Sequence, residues 1–176
     1  PSVEQASEAI GRLNNNPESG QTHVLLHSFI SWRVILSTLR DVFFVRRSVK
    51  GAEAGLANES HLWPLIQTDW RSSIYGKTAV GTLLMLNLFE AALAMLPKQS
   101  HGVYLQENQG WEMGMISSWK RVGHHDLTGF PHSTIRYWDL RYFFDPRAYN
   151  KGLSNHLQMP DSIACNGIAT MNAFLH

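Results

Sequence analysis

The chain has 176 residues, 44% of them hydrophobic and 16% charged, with a net charge of +1. That length supports one sizeable core, and the near-neutral balance argues against nucleic acid as a partner. The single cysteine, Cys165, excludes an internal disulfide and a cysteine-rich zinc site and points to a reducing, cytoplasmic compartment.

Residues 2–13 set Val3, Ala6, Ile10 and Leu13 near a helical period. They are polar and amphipathic and do not read as a signal peptide. Residues 14–20 are a loop by composition. In 23–49, Val24-Leu25-Leu26 reads as a short strand and the rest as a helix. Ile30, Val34, Leu36, Leu39, Val42 and Phe43 form its buried side, and Arg33, Arg40, Arg46 and Arg47 its basic face. Those arginines have two readings: a solvated face, or peripheral contact with the inner face of an anionic membrane. Residues 51–59 are a small-residue linker, and Ser60 caps a helix over 61–74. Residues 78–96 are the most hydrophobic stretch. Asn87 and Glu90 inside it argue for a helix buried against a sheet rather than a membrane span.

The first clear strand is 102–106. Asn108 is placed to cap a helix over 109–122, whose buried stripe is Trp111, Met115, Trp119 and Val122, and Gly123 ends it. Strands at 127–130 and 162–165 and a helix at 168–175 complete the pattern. Strands alternating with helices predict an α/β fold: a Rossmann-like parallel sheet flanked by helices, with right-handed crossovers and a helix-rich N-terminal half. The organisation expected is a helical segment, 1–59, packing on an α/β domain, 60–176. The chain lacks an initiator Met and stops inside a helical pattern, which reads as a piece of a longer protein. The connection from 131 to 161 is about thirty residues, well beyond the usual loop. Its aromatic content predicts an ordered segment, with a short helix near 135–143, folded over the sheet edge.

Ligands in open α/β sheets bind beyond the carboxyl ends of the strands, and two ionisable groups fall there. Glu107 follows the first strand and can serve as a general base, grip a sugar hydroxyl, or simply anchor the turn. His132 follows the second and can shuttle a proton near neutral pH, or be a packed histidine. Glu112 suits the positive end of the helix dipole and is also a candidate for the site. Asn108 is either a cap or a ligand group. Ser133 can leave N–H groups for an anion. Arg136 offers a cation for phosphate and Trp138 an aromatic face for a sugar ring, while Asp139 either joins that site or forms an internal Arg–Asp pair that holds the loop shut. His124-His125-Asp126 and the His23/His27 pair lack complete ligand sets, so no metal is expected. There is no P-loop, no GxGxxG and no serine nucleophile elbow.

The strings Tyr104-Leu105-Gln106-Glu107-Asn108-Gln109-Gly110-Trp111-Glu112 with Gly123-His124-His125, and Pro131-His132-Ser133-Thr134-Ile135-Arg136-Tyr137-Trp138-Asp139-Leu140-Arg141-Tyr142-Phe143, resemble a family of surface carbohydrate biosynthesis proteins. These look like glycosyltransferases of the two-Rossmann-domain (GT-B) type, and the resemblance is best over residues 63–175. It implies an N-terminal, acceptor-side domain in polysaccharide or lipopolysaccharide synthesis. A C-terminal Rossmann domain would hold the nucleotide-sugar, which is a substrate rather than a cofactor. On that resemblance Glu107 and His132 face the cleft as catalytic groups, with Asn108, Ser133 and Arg136 beside them and a glycan acceptor as the other substrate. The alternatives are a non-catalytic glycan-binding or scaffold module, or a histidine-dependent hydrolase or metal enzyme.

Overall fold

A computed structural model describes residues 2–18, 20–59, 61–131, 146–149 and 156–175. Helix α1 spans Val3–Asn14, a 3-10 turn covers Leu26–Phe29, and α2 (Trp32–Glu59), α3 (Trp63–Tyr75) and α4 (Lys77–Met95) follow. Strand β1 (His101–Gln106), α5 (Gly110–Val122) and β2 (Asp126–Pro131) come next. A further 3-10 turn (Pro146–Tyr149), β3 (Ser162–Ile163) and α6 (Ile168–Leu175) end the order among the described residues. The fold is helix-rich α/β with a three-stranded parallel sheet, β1-β2-β3.

The N-terminal half departs from expectation at several points. Residues 24–26 form no strand; the chain turns there into the 3-10 segment. The expected linker at 51–59 is the last part of the 28-residue α2. Its alanines are strong helix formers and outweigh Gly51 and Gly55, each costing about 1 kcal/mol relative to alanine. An ion pair from Arg71 to Glu53, at 2.9 Å, ties this end of α2 to α3. The buried side of α2 is also narrower than expected. Val34, Thr38 and Val42, four residues apart, are buried, whereas Ile30, Leu36, Leu39 and Phe43 are exposed. Helix α3 begins at Trp63 with Pro64 in its first turn, where a missing N–H costs nothing. Ser60, its expected cap, lies outside the described residues. Helix α1 is closed by a reciprocal Ser2–Gln5 capping box and buries no side chain.

Helix α4 packs against α2, α3 and α5. Among the described residues it is the one helix long and apolar enough to cross a membrane. Two of its polar groups, Asn87 and Glu90, are nonetheless engaged with protein. Asn87 is buried and donates to Asp41 Oδ2 at 3.0 Å, and Glu90 pairs with Arg121. Leu93 of α4 joins Ile116, Trp119 and Leu127 in the core cluster. So α4 meets the sheet across α5 rather than lying flat on it. Among the helix positions expected to be buried, Trp119 is buried and Trp111 half-buried, its ring stacked on Phe89 at 5.8 Å.

The sheet has two unlike faces, as alternation along each strand requires. Register pairs Gly102 with Leu127, Tyr104 with Gly129 and Gln106 with Pro131, and this face meets α5. Val103, Leu105 and Phe130, on the other face, are exposed. Trp119 lies so close over β1 that a Cβ on Gly102 would sit 2.5 Å from Trp119 Cη2. Gly102→Ala should therefore destabilise by about 1–3 kcal/mol through overpacking. Urea denaturation checks this; an unchanged midpoint would mean that Trp119 does not cover the strand.

Candidate functional site

At the carboxyl edge, β1 ends on Gln106 directly beside the last residue of β2, Pro131. The chain then turns through Glu107, Asn108 and Gln109 into α5, whose N-cap is Gln109 rather than Asn108. Asn108 instead takes a left-handed conformation, φ 54°, which asparagine tolerates better than most residues. Successive N–H groups in such a turn converge into a concavity suited to an anion.

That concavity is filled from within. Glu112, one turn into α5, has a fully buried side chain. Its Oε1 accepts the N–H of Glu107 at 3.1 Å and of Gln109 at 3.2 Å. Its Oε2 accepts the N–H of Glu107 at 3.1 Å and of Asn108 at 3.0 Å. Burial pushes the Glu112 carboxyl above its ordinary pKa and the charge of Glu107 adds to this, while the three N–H donors pull it down. Glu112, expected either at the helix dipole or in the site, has no exposure, and both its oxygens are engaged by the turn.

Beneath the turn lies a polar layer that sequence reasoning missed. Gln106 is fully buried and donates from Nε2 to Asn108 Oδ1 at 2.9 Å. Gly129 on β2 makes room for it, since a Cβ there would fall 2.3 Å from Gln106 Oε1 and 3.2 Å from Tyr104 Oη. Tyr104 Oη and Asn108 Nδ2 are sealed from solvent, with no hydrogen-bond partner among the described residues. Burial, then the nearby Glu112 charge, raises the Tyr104 pKa, so its hydroxyl keeps its proton and remains a donor. The available signal was the inward phase of β1: positions 102, 104 and 106 share a face, and two of them end in polar groups.

Glu107 is half-buried at the mouth of this turn, its backbone N–H held by Glu112. Asn108 is buried, its side chain committed to Gln106 through Oδ1. His132, Ser133, Arg136, Trp138 and Asp139 lie outside the described residues, as does the helix expected near 135–143. His124 is buried against Trp119. Its Nδ1 accepts from the Gln99 N–H at 3.1 Å and its Nε2 lies 3.2 Å from Leu93 O. Both ring nitrogens are thus engaged with backbone groups. Among the described residues no three His, Cys, Asp or Glu side chains gather closely enough to hold a metal ion.

The raised Glu112 pKa sets a sign for pH dependence. Folded protein binds this proton more tightly than unfolded chain, so the contribution is fully present below the unfolded value of about 4.5 and is lost as pH rises through the folded pKa. The stability of the parent minus that of Glu112→Gln, which binds no proton there, should therefore shrink from pH 4.5 towards neutrality. Denaturant melts across that range measure it. A difference that grows with pH would show that the three N–H bonds outweigh burial.

Compared with protein-family models, curated proteins and solved structures, the chain gives no match.

Proposed function

We propose that this chain is the acceptor-side, Rossmann-like domain of a GT-B-type glycosyltransferase for surface polysaccharide or lipopolysaccharide synthesis. It would move a sugar from a nucleotide-sugar to an acceptor hydroxyl. The observation that carries the reading is the filled turn after β1. In a nucleotide-binding βαβ unit that turn offers its N–H groups to phosphate. Here Glu112 takes the N–H groups of Glu107, Asn108 and Gln109, and a fixed carboxylate repels a diphosphate. A unit closed to the donor's phosphates suits the acceptor half, with the donor bound by a second domain.

In this reading Glu107 removes the proton from the acceptor hydroxyl as its oxygen attacks the anomeric carbon. The bond from that carbon to the nucleoside diphosphate breaks, and the diphosphate leaves with the electron pair. His132, which follows the last residue of β2 in the chain, is the other candidate base. Ser133, Arg136, Trp138 and Asp139 would shape the acceptor pocket, while Asn108 and Glu112 would hold the turn that presents Glu107.

In the full-length enzyme, Glu107→Gln should lower turnover by about 10²–10⁴-fold, the usual worth of a general base. The melting temperature and donor affinity should stay near the parent's. Near-normal turnover would reduce Glu107 to a structural role. Glycan binding without turnover, surviving loss of both Glu107 and His132, would mark a binding module instead.

A further inference from the structure

Helix α2 carries a surface that sugar transfer does not use. Trp32, Leu36, Leu39 and Phe43 follow one another at steps of four, three and four residues. They form a single stripe, each side chain between 60 and 80% exposed. The opposite side of the helix is committed: Val34, Thr38 and Val42 are buried, and α2 packs on α4. The stripe therefore cannot rotate into the core. Stripes of large apolar side chains left in water mark interaction sites.

The charges along the stripe say what it meets. Arg33, Arg40 and Arg47, spaced by seven, run in a row beside it, and Lys50 continues the stripe one heptad beyond Phe43. Between Trp32 and Lys50 the one acidic residue is Asp41. It faces inward to Asn87 and is also held by Arg40. Arg33, Arg47 and Lys50 have no ion-pair partner among the described residues, so their charge is available. At the C-terminal end an open groove of about 480 Å³ has Leu39, Val42 and Phe43 as apolar walls, with Arg46, Arg47 and Lys50 along it. Arg46 reaches across to donate to the Tyr75 carbonyl at 2.8 Å, and its Nε has no hydrogen-bond partner among the described residues.

We propose that the outward face of α2 lies on a bilayer surface bearing anionic phospholipid, with Trp32, Leu36, Leu39 and Phe43 in the interface and Arg33, Arg47 and Lys50 on the headgroup phosphates. An in-plane amphipathic helix needs a continuous apolar stripe, aromatic side chains able to sit at headgroup depth, and cations beside them. All three are met along about 27 Å of one helix. The inference stands apart from the sugar-transfer reading, since it needs only α2.

The test is flotation of the full chain with phosphatidylcholine vesicles, with and without phosphatidylglycerol. Binding is expected on the anionic vesicles, at least about tenfold weaker on the neutral ones, and reduced by salt. Trp32→Ala with Phe43→Ala, and separately Arg33→Ala with Arg47→Ala, should each weaken partition by roughly tenfold or more. Both pairs are exposed, so circular dichroism melts should match the parent and separate lost binding from lost folding. Absence of vesicle binding, equal binding to neutral vesicles, or binding unchanged in both folded variants would overturn the proposal. So would self-association abolished by the Trp32/Phe43 pair in place of vesicle binding, which would assign the stripe to a second copy of the chain.

Discussion

The arrangement of the sheet edge depends on one buried carboxylate. Glu112 gathers three consecutive backbone N–H groups that would otherwise point outward from the turn after β1. Desolvating a carboxylate is expensive, and several well-placed donors are what make it tolerable. The left-handed backbone at Asn108 is the conformational cost of bringing those groups to a common focus. The rest of the edge follows. Gln106 supports Asn108 from below, Gly129 leaves space for Gln106, and Glu107 is delivered to the mouth of the turn. An anion-binding turn that carries its own anion is a fixed structural corner.

The same packing logic divides the molecule. One sheet face rests on α5 through Trp119, Ile116 and Leu127, and α5 rests on α4. Helix α4 then holds α2 and α3, so the one helix among the described residues long and apolar enough to cross a membrane is a hub rather than a cover for the sheet. Trp119 is central. It lies on Gly102, its Nε1–H donates to the His125 carbonyl at 2.7 Å, and its ring lies against His124. The end of α5 is secured nearby, with Gly123 in the left-handed conformation and Lys98 donating to the Val122 carbonyl.

Much of this was legible from residue order. The strand at β1, the helix after it, β2, β3 and α6 were all placed within a few residues, because short apolar runs bounded by turn residues carry a strong local signal. The parallel arrangement followed from alternation. The faces of α2 were not legible, because an apolar stripe meant for an external surface has the same spacing as one meant for the core. Gly51–Glu59 misled for another reason: alanine and glycine together look like a linker, yet alanine is the best helix former. At the sheet edge, the place of Glu107 follows from strand-end position, but the cap expected at Asn108 falls on Gln109, and the reach of Glu112 was not legible. A first-turn glutamate is usually explained by the helix dipole, whereas this one reaches back over three residues, which its place in the sequence does not signal. Tyr104 and Gln106 were passed over because they read as strand rather than as lining.

Amide hydrogen exchange at Glu107, Asn108 and Gln109, read residue by residue in the parent and in Glu112→Ala, tests the central claim most directly. Three amides should be protected well beyond ordinary loop values in the parent, and all three should lose that protection together when the carboxylate is removed while β1 and α5 keep theirs. Loop-like exchange at these positions in the parent, or protection that survives the loss of Glu112, would contradict it.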